Sequence, residues 1–127
     1  MNRKAVNSEN APAAVGPYSH GVLAGETLYV SGQLGLDPIS GVLEAGIEAQ
    51  TKKGLGNLSA ILETAGMTPA DIVKTTIFLT DMSDFATVNE IYAAYFKDVR
   101  EFPARSCVAV AALPKGAIFE IEAIAVK

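Results

Sequence analysis

Two strand-like runs close this chain, FPARSCVAV (102–110) and AIFEIEAIAV (117–126), linked by a short LPKG turn. They carry one arginine and two acids in otherwise apolar sequence. Charged side chains are seldom fully buried unless paired or put to use, so Arg105, Glu120 and Glu122 restrict how these strands can sit in a sheet. Alternation puts Arg105, Cys107 and Ala109 on one face of the first run and Ser106, Val108 and Val110 on the other. In the second run Glu120 and Glu122 share a face with Ile118 and Ile124. A guanidinium in this setting is a ready fork for a carboxylate ligand, with a nearby Glu to hold or activate water. It is equally one half of a structural ion pair near a strand end, and the residues alone leave both readings open.

The rest of the chain supplies the partners for these strands. RKAVN at the start reads as a short edge strand, and 7–17 (NSENAPAAVGP) as an extended loop rich in Pro, Gly and small residues. YSHGVLA (18–24) and TLYVSGQL (27–34) carry strand signals across a Gly25-Glu26 hairpin turn, and GLDPISG (35–41) is turn-rich. From Gly46 to Ala65, Ile47, Leu55, Leu58, Ile61 and Leu62 recur at helical spacing, with Gly66 as a stop. Gly54 and Gly56 inside that helix are expected to permit close packing on a sheet. DIVKTTIFLTD (71–81) is a β-branched strand. A second helix follows, capped by Ser83 or Asp84, with Phe85, Val88, Ile91, Tyr92, Tyr95 and Phe96 as its apolar positions.

The expected order is ββ(β)-α-β-α-β-β, an α+β arrangement with a mixed five- to six-stranded sheet and two helices on one face. Two such helices cannot cover both faces, and both faces of the last two strands read as largely apolar, so self-association is expected. At 127 residues, half of them apolar and 19% charged, residues 1–127 are expected to form a single domain. A net charge of −4 with ten scattered Lys and Arg argues against nucleic acid as a partner. One cysteine leaves no internal disulfide, and neither a leader-like start nor an apolar run of about 18 residues is present, so a cytoplasmic protein is expected.

Familiar catalytic constellations are scarce. The single histidine, His20, follows Ser19; alternation along a strand would point the two apart, and His20 reads as a strand or surface residue. One His and one Cys with no ligand spacing give no metal site, and neither GxGxxG nor GxxxxGK[ST] occurs, so no cofactor is indicated. Cys107 shares a face with Arg105, which could lower its pKa, but a small buried hydrophobe is the better reading. Tyr18 stands at a loop-to-strand boundary, either a phenol reaching a pocket or a core aromatic with a wet tip. Ser31-Gly32 interrupts an apolar strand, allowing close approach by a ligand or simply a bulge. Asn89 on the second helix is a surface residue or a pocket donor.

Taken together, GPYSHG (16–21), LYVSGQLGLDPISG (28–41), FLTDMSDFATVNEIYAAYF (78–96) and PARSCVAVAALPKGAIFEIE (103–122) resemble the RidA/YjgF (YER057c-like, L-PSP) family over essentially the whole chain. The resemblance implies a chorismate-mutase-like α+β fold, a homotrimer with a central β-barrel, and three interfacial clefts lined by Tyr18, Ser31, Gly32, Asn89, Arg105, Cys107 and Glu120. The family's usual Gln stands as His20 here. The active branch implies cofactor-free hydrolysis of 2-imino acids or their enamine tautomers to 2-keto acids and ammonia. Arg105 would clamp the substrate carboxylate, Glu120 activate water, Tyr18 bind that water or the departing nitrogen, and the backbone at Cys107 hold the imine. The alternatives are a trimeric 2-keto-acid-binding regulator without turnover, and the translation inhibitor or endoribonuclease of the family's older labels.

Overall fold

A computed structural model describes residues 3–127. Three antiparallel strands open the sheet: β1 (Arg3–Val6), β2 (Gly21–Ala24) and β3 (Thr27–Leu34). The β2–β3 hairpin turns at Gly25, whose φ of 61° lies in the left-handed region that glycine enters without strain. β1 is an edge strand, as the sequence suggested. β2 begins only at Gly21, so Tyr18, Ser19 and His20 belong to the preceding loop rather than to a strand.

Helix α1 (Ile47–Thr64) ends in a Schellman arrangement. Gly66, at φ 74°, donates to Glu63 O and Met67 donates to Leu62 O, closing the last carbonyls. Strand β4 (Ile72–Leu79) leads into a short 3₁₀ turn and then helix α2 (Phe85–Tyr95). Neither Ser83 nor Asp84 caps that helix through its side chain. Asp81 accepts from Ser83 N–H at 2.9 Å instead, one residue group earlier, because the 3₁₀ turn of Met82–Asp84 precedes the helix and needs the cap. Strands β5 (Ala104–Ala109) and β6 (Phe119–Val126) follow.

The sheet runs β1-β2-β3-β6-β4-β5. The two turn-linked runs at the end of the chain are therefore not neighbours: β6 pairs antiparallel with β3 and β4, and β5 pairs parallel with the far edge of β4. β6 carries the alternation that holds this centre together. Phe119, Ile121, Ala123 and Ala125 are buried, facing α1, while Glu120, Glu122, Ile124 and Val126 take the other face. Leu28, Val30, Ile77, Leu79, Leu58, Ile61, Leu62, Val88 and Phe96 complete one core between the sheet and the two helices.

The two helix glycines differ. A Cβ at Gly54 would meet the Phe119 ring at 2.7 Å, so this glycine does admit close helix-to-sheet packing. A Cβ at Gly56 would meet nothing within 4 Å, and the packing expectation fails there. On the opposite face no helix or strand among the described residues covers the sheet, leaving Tyr29, Val108 and Val126 exposed. No helix among the described residues is long and apolar enough to cross a membrane.

Candidate active site

Arg105 sits on the edge strand β5 in register with Thr75 of β4, which is buried beneath the helices, so the guanidinium projects to the helical side of the sheet. Helix α2 receives it. Phe85, Asn89 and Tyr92 lie one turn apart on one stripe, and Arg105 Cζ stands 5.4 Å and 4.9 Å from the Phe85 and Tyr92 ring centroids. Nη1 donates to Asn89 Oδ1 at 2.6 Å, which makes Asn89 the positioning acceptor rather than a bystander on the surface. Tyr92 is itself fixed by a 2.6 Å hydroxyl contact with Thr75.

Within one copy Arg105 has no acid partner: the one salt bridge among the described residues joins Lys52 to Glu48. With one nitrogen bonded to a neutral carbonyl and its face stacked, the fork keeps donors for an anion. A cavity of about 530 Å³ opens beside it, lined by Asn89, Tyr92, Ala93, Phe102, Pro103 and Arg105. Cys107 lies two residues along the same face, half-buried. Burial pushes its thiol up, with the Arg105 charge acting the other way, so it is not a poised thiolate.

Glu120 occupies the other side of the sheet. It stands opposite Phe78, between the fully buried Phe119 and Ile121, so its carboxyl points away from the helices. There it lines a second cavity, of about 520 Å³, with Tyr18, Ser31, Gly32, His20, Lys115 and Glu122, walled by Pro12, Ala13, Val15, Leu34, Leu36 and Pro114. A register shift between Val30 and Gln33 turns Ser31-Gly32 towards this cavity, and any Cβ at Gly32 would collide with the Glu120 carboxyl. Ser31 is locked by Oγ–H donation to Ser19 O (2.7 Å) and N–H donation to His20 O (2.9 Å). Tyr18 is half exposed, its ring at the mouth. Burial first, and the Glu122 charge second, raise the Glu120 carboxyl above the ordinary carboxylate range. That bias suits a group that takes up a proton during reaction.

Sequence reading missed four contributors. His20 is buried at 4% exposure, not a strand or surface residue, because its ring is spent inside the loop. Phe85 and Tyr92 are core positions as expected, Tyr92 buried and Phe85 packed against the core. What the sequence left unsaid is that their rings also face Arg105; their spacing around Asn89 was the available signal. Lys115, with φ 60°, holds a left-handed conformation unusual outside glycine, at the rim of the Glu120 cavity. Among the described residues no group of three or more His, Cys, Asp or Glu is arranged to hold a metal.

In one copy of the chain Tyr18, Ser31, Gly32 and Glu120 come together, and Asn89, Arg105 and Cys107 come together, but the two groups lie on opposite faces of the sheet with β4 between their strands. Fold and site thus define an α+β protein with a guanidinium on one face of the sheet and a carboxyl on the other, each beside a cavity. The chain belongs to the family described as endoribonuclease L-PSP, also called RidA/YjgF, whose model matches residues 8–127. It is 51% identical, over 98% of each chain, to a Salmonella typhimurium protein named 2-iminobutanoate/2-iminopropanoate deaminase. Among solved structures, a Rid-family protein, YyfA from Yersinia pestis, superposes with a TM-score of 0.95 at 49% identity, covering 98% of this chain and 99% of that one. E. coli TdcF, solved with bound serine, superposes at 0.94 with 44% identity over 98% of each chain.

Proposed function

We infer that this chain is a cofactor-independent deaminase that hydrolyses 2-iminobutanoate and 2-iminopropanoate, or their enamine tautomers, to 2-keto acids and ammonia. The reading takes residues 1–127 as one domain of the chorismate-mutase-like type, working in the cytoplasm as a homotrimer with a central β-barrel. The similarity to the deaminases supports the reaction. The observation that carries the assembly is the split site: a guanidinium without an acid partner on one face, a proton-hungry carboxyl on the other, and an uncovered sheet face between copies. The Arg105 edge of one copy meets the Glu120 cavity of the next, giving three shared clefts.

In such a cleft Arg105 clamps the substrate carboxylate bidentately, a charge-assisted contact worth about 1.5–3 kcal/mol, and sets the imine carbon in place. Glu120 takes a proton from water as its oxygen attacks that carbon; general-base help of this kind is worth about 10²–10⁴ in rate. Glu120 returns that proton to the nitrogen, giving the tetrahedral carbinolamine. As this collapses, Glu120 passes the hydroxyl proton to the nitrogen as well, so that ammonia leaves, the 2-keto acid remains and the carboxylate is regenerated. Tyr18 Oη binds the water or the departing nitrogen, the Cys107 backbone holds the imine group, and Ser31, Gly32 and Asn89 shape the site.

The test is depletion of enzymatically generated 2-iminobutanoate against semicarbazide trapping, with wild type beside Arg105→Ala and Glu120→Gln. Both variants should assemble and be inactive. Mixed at random in equal amounts they should regain activity in about one cleft in four, since each functional cleft draws its Arg and its Glu from different copies. Inactive wild type that still binds 2-ketobutyrate would make the protein a regulator instead. The nuclease reading has little support: a net charge of −4 offers no phosphate track.

A further inference from the structure

We propose that His20 is a positioning residue for the Glu120 cavity: its neutral ring, protonated on Nε2, fastens the 7–17 segment in place as the cavity wall. This rests on the deaminase reading for its kinetic consequence, but the clasp itself stands on geometry. Ser8 N–H donates to Nδ1 at 3.0 Å, so Nδ1 carries a lone pair and no proton. The other ring nitrogen lies 2.7 Å from Pro12 O, a group that can only accept, so Nε2 bears the hydrogen. The partners thus select one tautomer of a ring that is 4% exposed.

The backbone of the same residue completes a four-bond junction. His20 N–H donates to Asn7 Oδ1 at 3.0 Å, and His20 O accepts from Ser31 N–H at 2.9 Å. One residue therefore ties Asn7, Ser8 and Pro12 to Ser31, and Ser31 precedes the Gly32 backbone over which the Glu120 carboxyl lies. The tethered segment has no regular structure, yet its Pro12, Ala13 and Val15 form one side of the cavity. A histidine that merely filled core space would not need both ring nitrogens engaged with a segment that walls the site. Without the ring, Ser8 N–H and Pro12 O lose their partners, and both the wall and the Tyr18–Ser31 side of the site lose their anchor.

The assay compares wild type, His20→Leu and His20→Gln. Leu keeps bulk without polarity; Gln offers one carbonyl acceptor and one N–H donor, the pattern of the neutral ring. His20→Leu should form the same assembly, show faster exchange at the Ser8 amide, and lose about tenfold or more in kcat/KM and in 2-ketobutyrate affinity, while His20→Gln recovers most of each. Because this is the chain's one histidine, ¹⁵N-histidine NMR of wild type reads its tautomer without ambiguity, and the spectrum should show Nε2–H. An Nδ1–H ring, unchanged kinetics and binding in His20→Leu, no rescue by Gln, or failure of His20→Leu to assemble would each overturn the proposal. The tautomer and the Ser8 amide report on the clasp even if wild type proves not to turn over imines.

Discussion

Gly32→Ala isolates the contact between β3 and the candidate base. Gly32 is not in the left-handed region, so its backbone accepts alanine without strain. The added methyl, however, would overlap the Glu120 carboxylate, lying 2.7 Å from Cδ and 3.1 Å from Cγ. Carbon atoms rest at about 3.5–4.0 Å, so the carboxyl must retreat by about 1 Å. Misplacing a reacting group by that distance costs about 10² in rate, within the 10²–10⁴ attributable to general-base help, or about 2.7 kcal/mol at 1.36 kcal/mol per decade. Stability should hardly change, because a flexible carboxylate end yields more cheaply than backbone and Ala restricts the unfolded chain by about 0.4–1 kcal/mol. The assay is kcat/KM for 2-iminobutanoate beside a melting curve. Turnover within about threefold of wild type, with Glu120→Gln inactive, would refute the placement of Glu120 as a geometrically constrained base.

The two helix glycines should respond in opposite directions. Gly54→Ala pushes a methyl into the buried Phe119 ring and should cost about 1–3 kcal/mol, less the helix-propensity gain, whereas Gly56→Ala meets open space and should gain about 1 kcal/mol; thermal melts check both. As the base, Glu120 must be ionised, so its raised pKa puts the acid limb of kcat/KM above that of an ordinary glutamate. Glu122→Gln removes one of the two causes and should move that limb to lower pH. The same shift has a stability sign. A carboxyl with a raised folded pKa holds more protons folded than unfolded between the two values, so stability falls as pH rises through that window. Glu120→Gln should therefore melt higher than wild type above the window, with the gap closing below the ordinary carboxylate range.

Local periodicity made most elements legible. α1 spans the expected stretch because Leu55, Leu58, Ile61 and Leu62 repeat at helical spacing, and β3 matches TLYVSGQL residue for residue. What escaped depends on non-local partners. Buried Gln50 and Asn57 break the apolar stripe of α1, yet Gln50 accepts from Ile118 N–H and Asn57 donates to Leu34 O and Leu36 O, pinning segments that no helical pattern reveals. His20 escaped for the same reason: its partners lie 8 and 12 residues away in an irregular loop. Alternation ordered Arg105 and Glu120 within their own strands but could not relate one strand's faces to the other's. That required knowing that β4 lies between them.

The central place of β6 bears on how the chain is made. β3 and β4 share no edge; the strand that joins them comes after both along the chain. Until Phe119–Val126 is available, the β1–β3 meander with α1 and the β4–α2–β5 unit each keep an unpaired inner edge, and neither half can close the core through Phe119 and Ile121. Folding of the whole must then wait until β6 has been synthesised, and strand insertion between two separate units is a non-local, slow step. During that interval the exposed edges are open to pairing with other nascent chains.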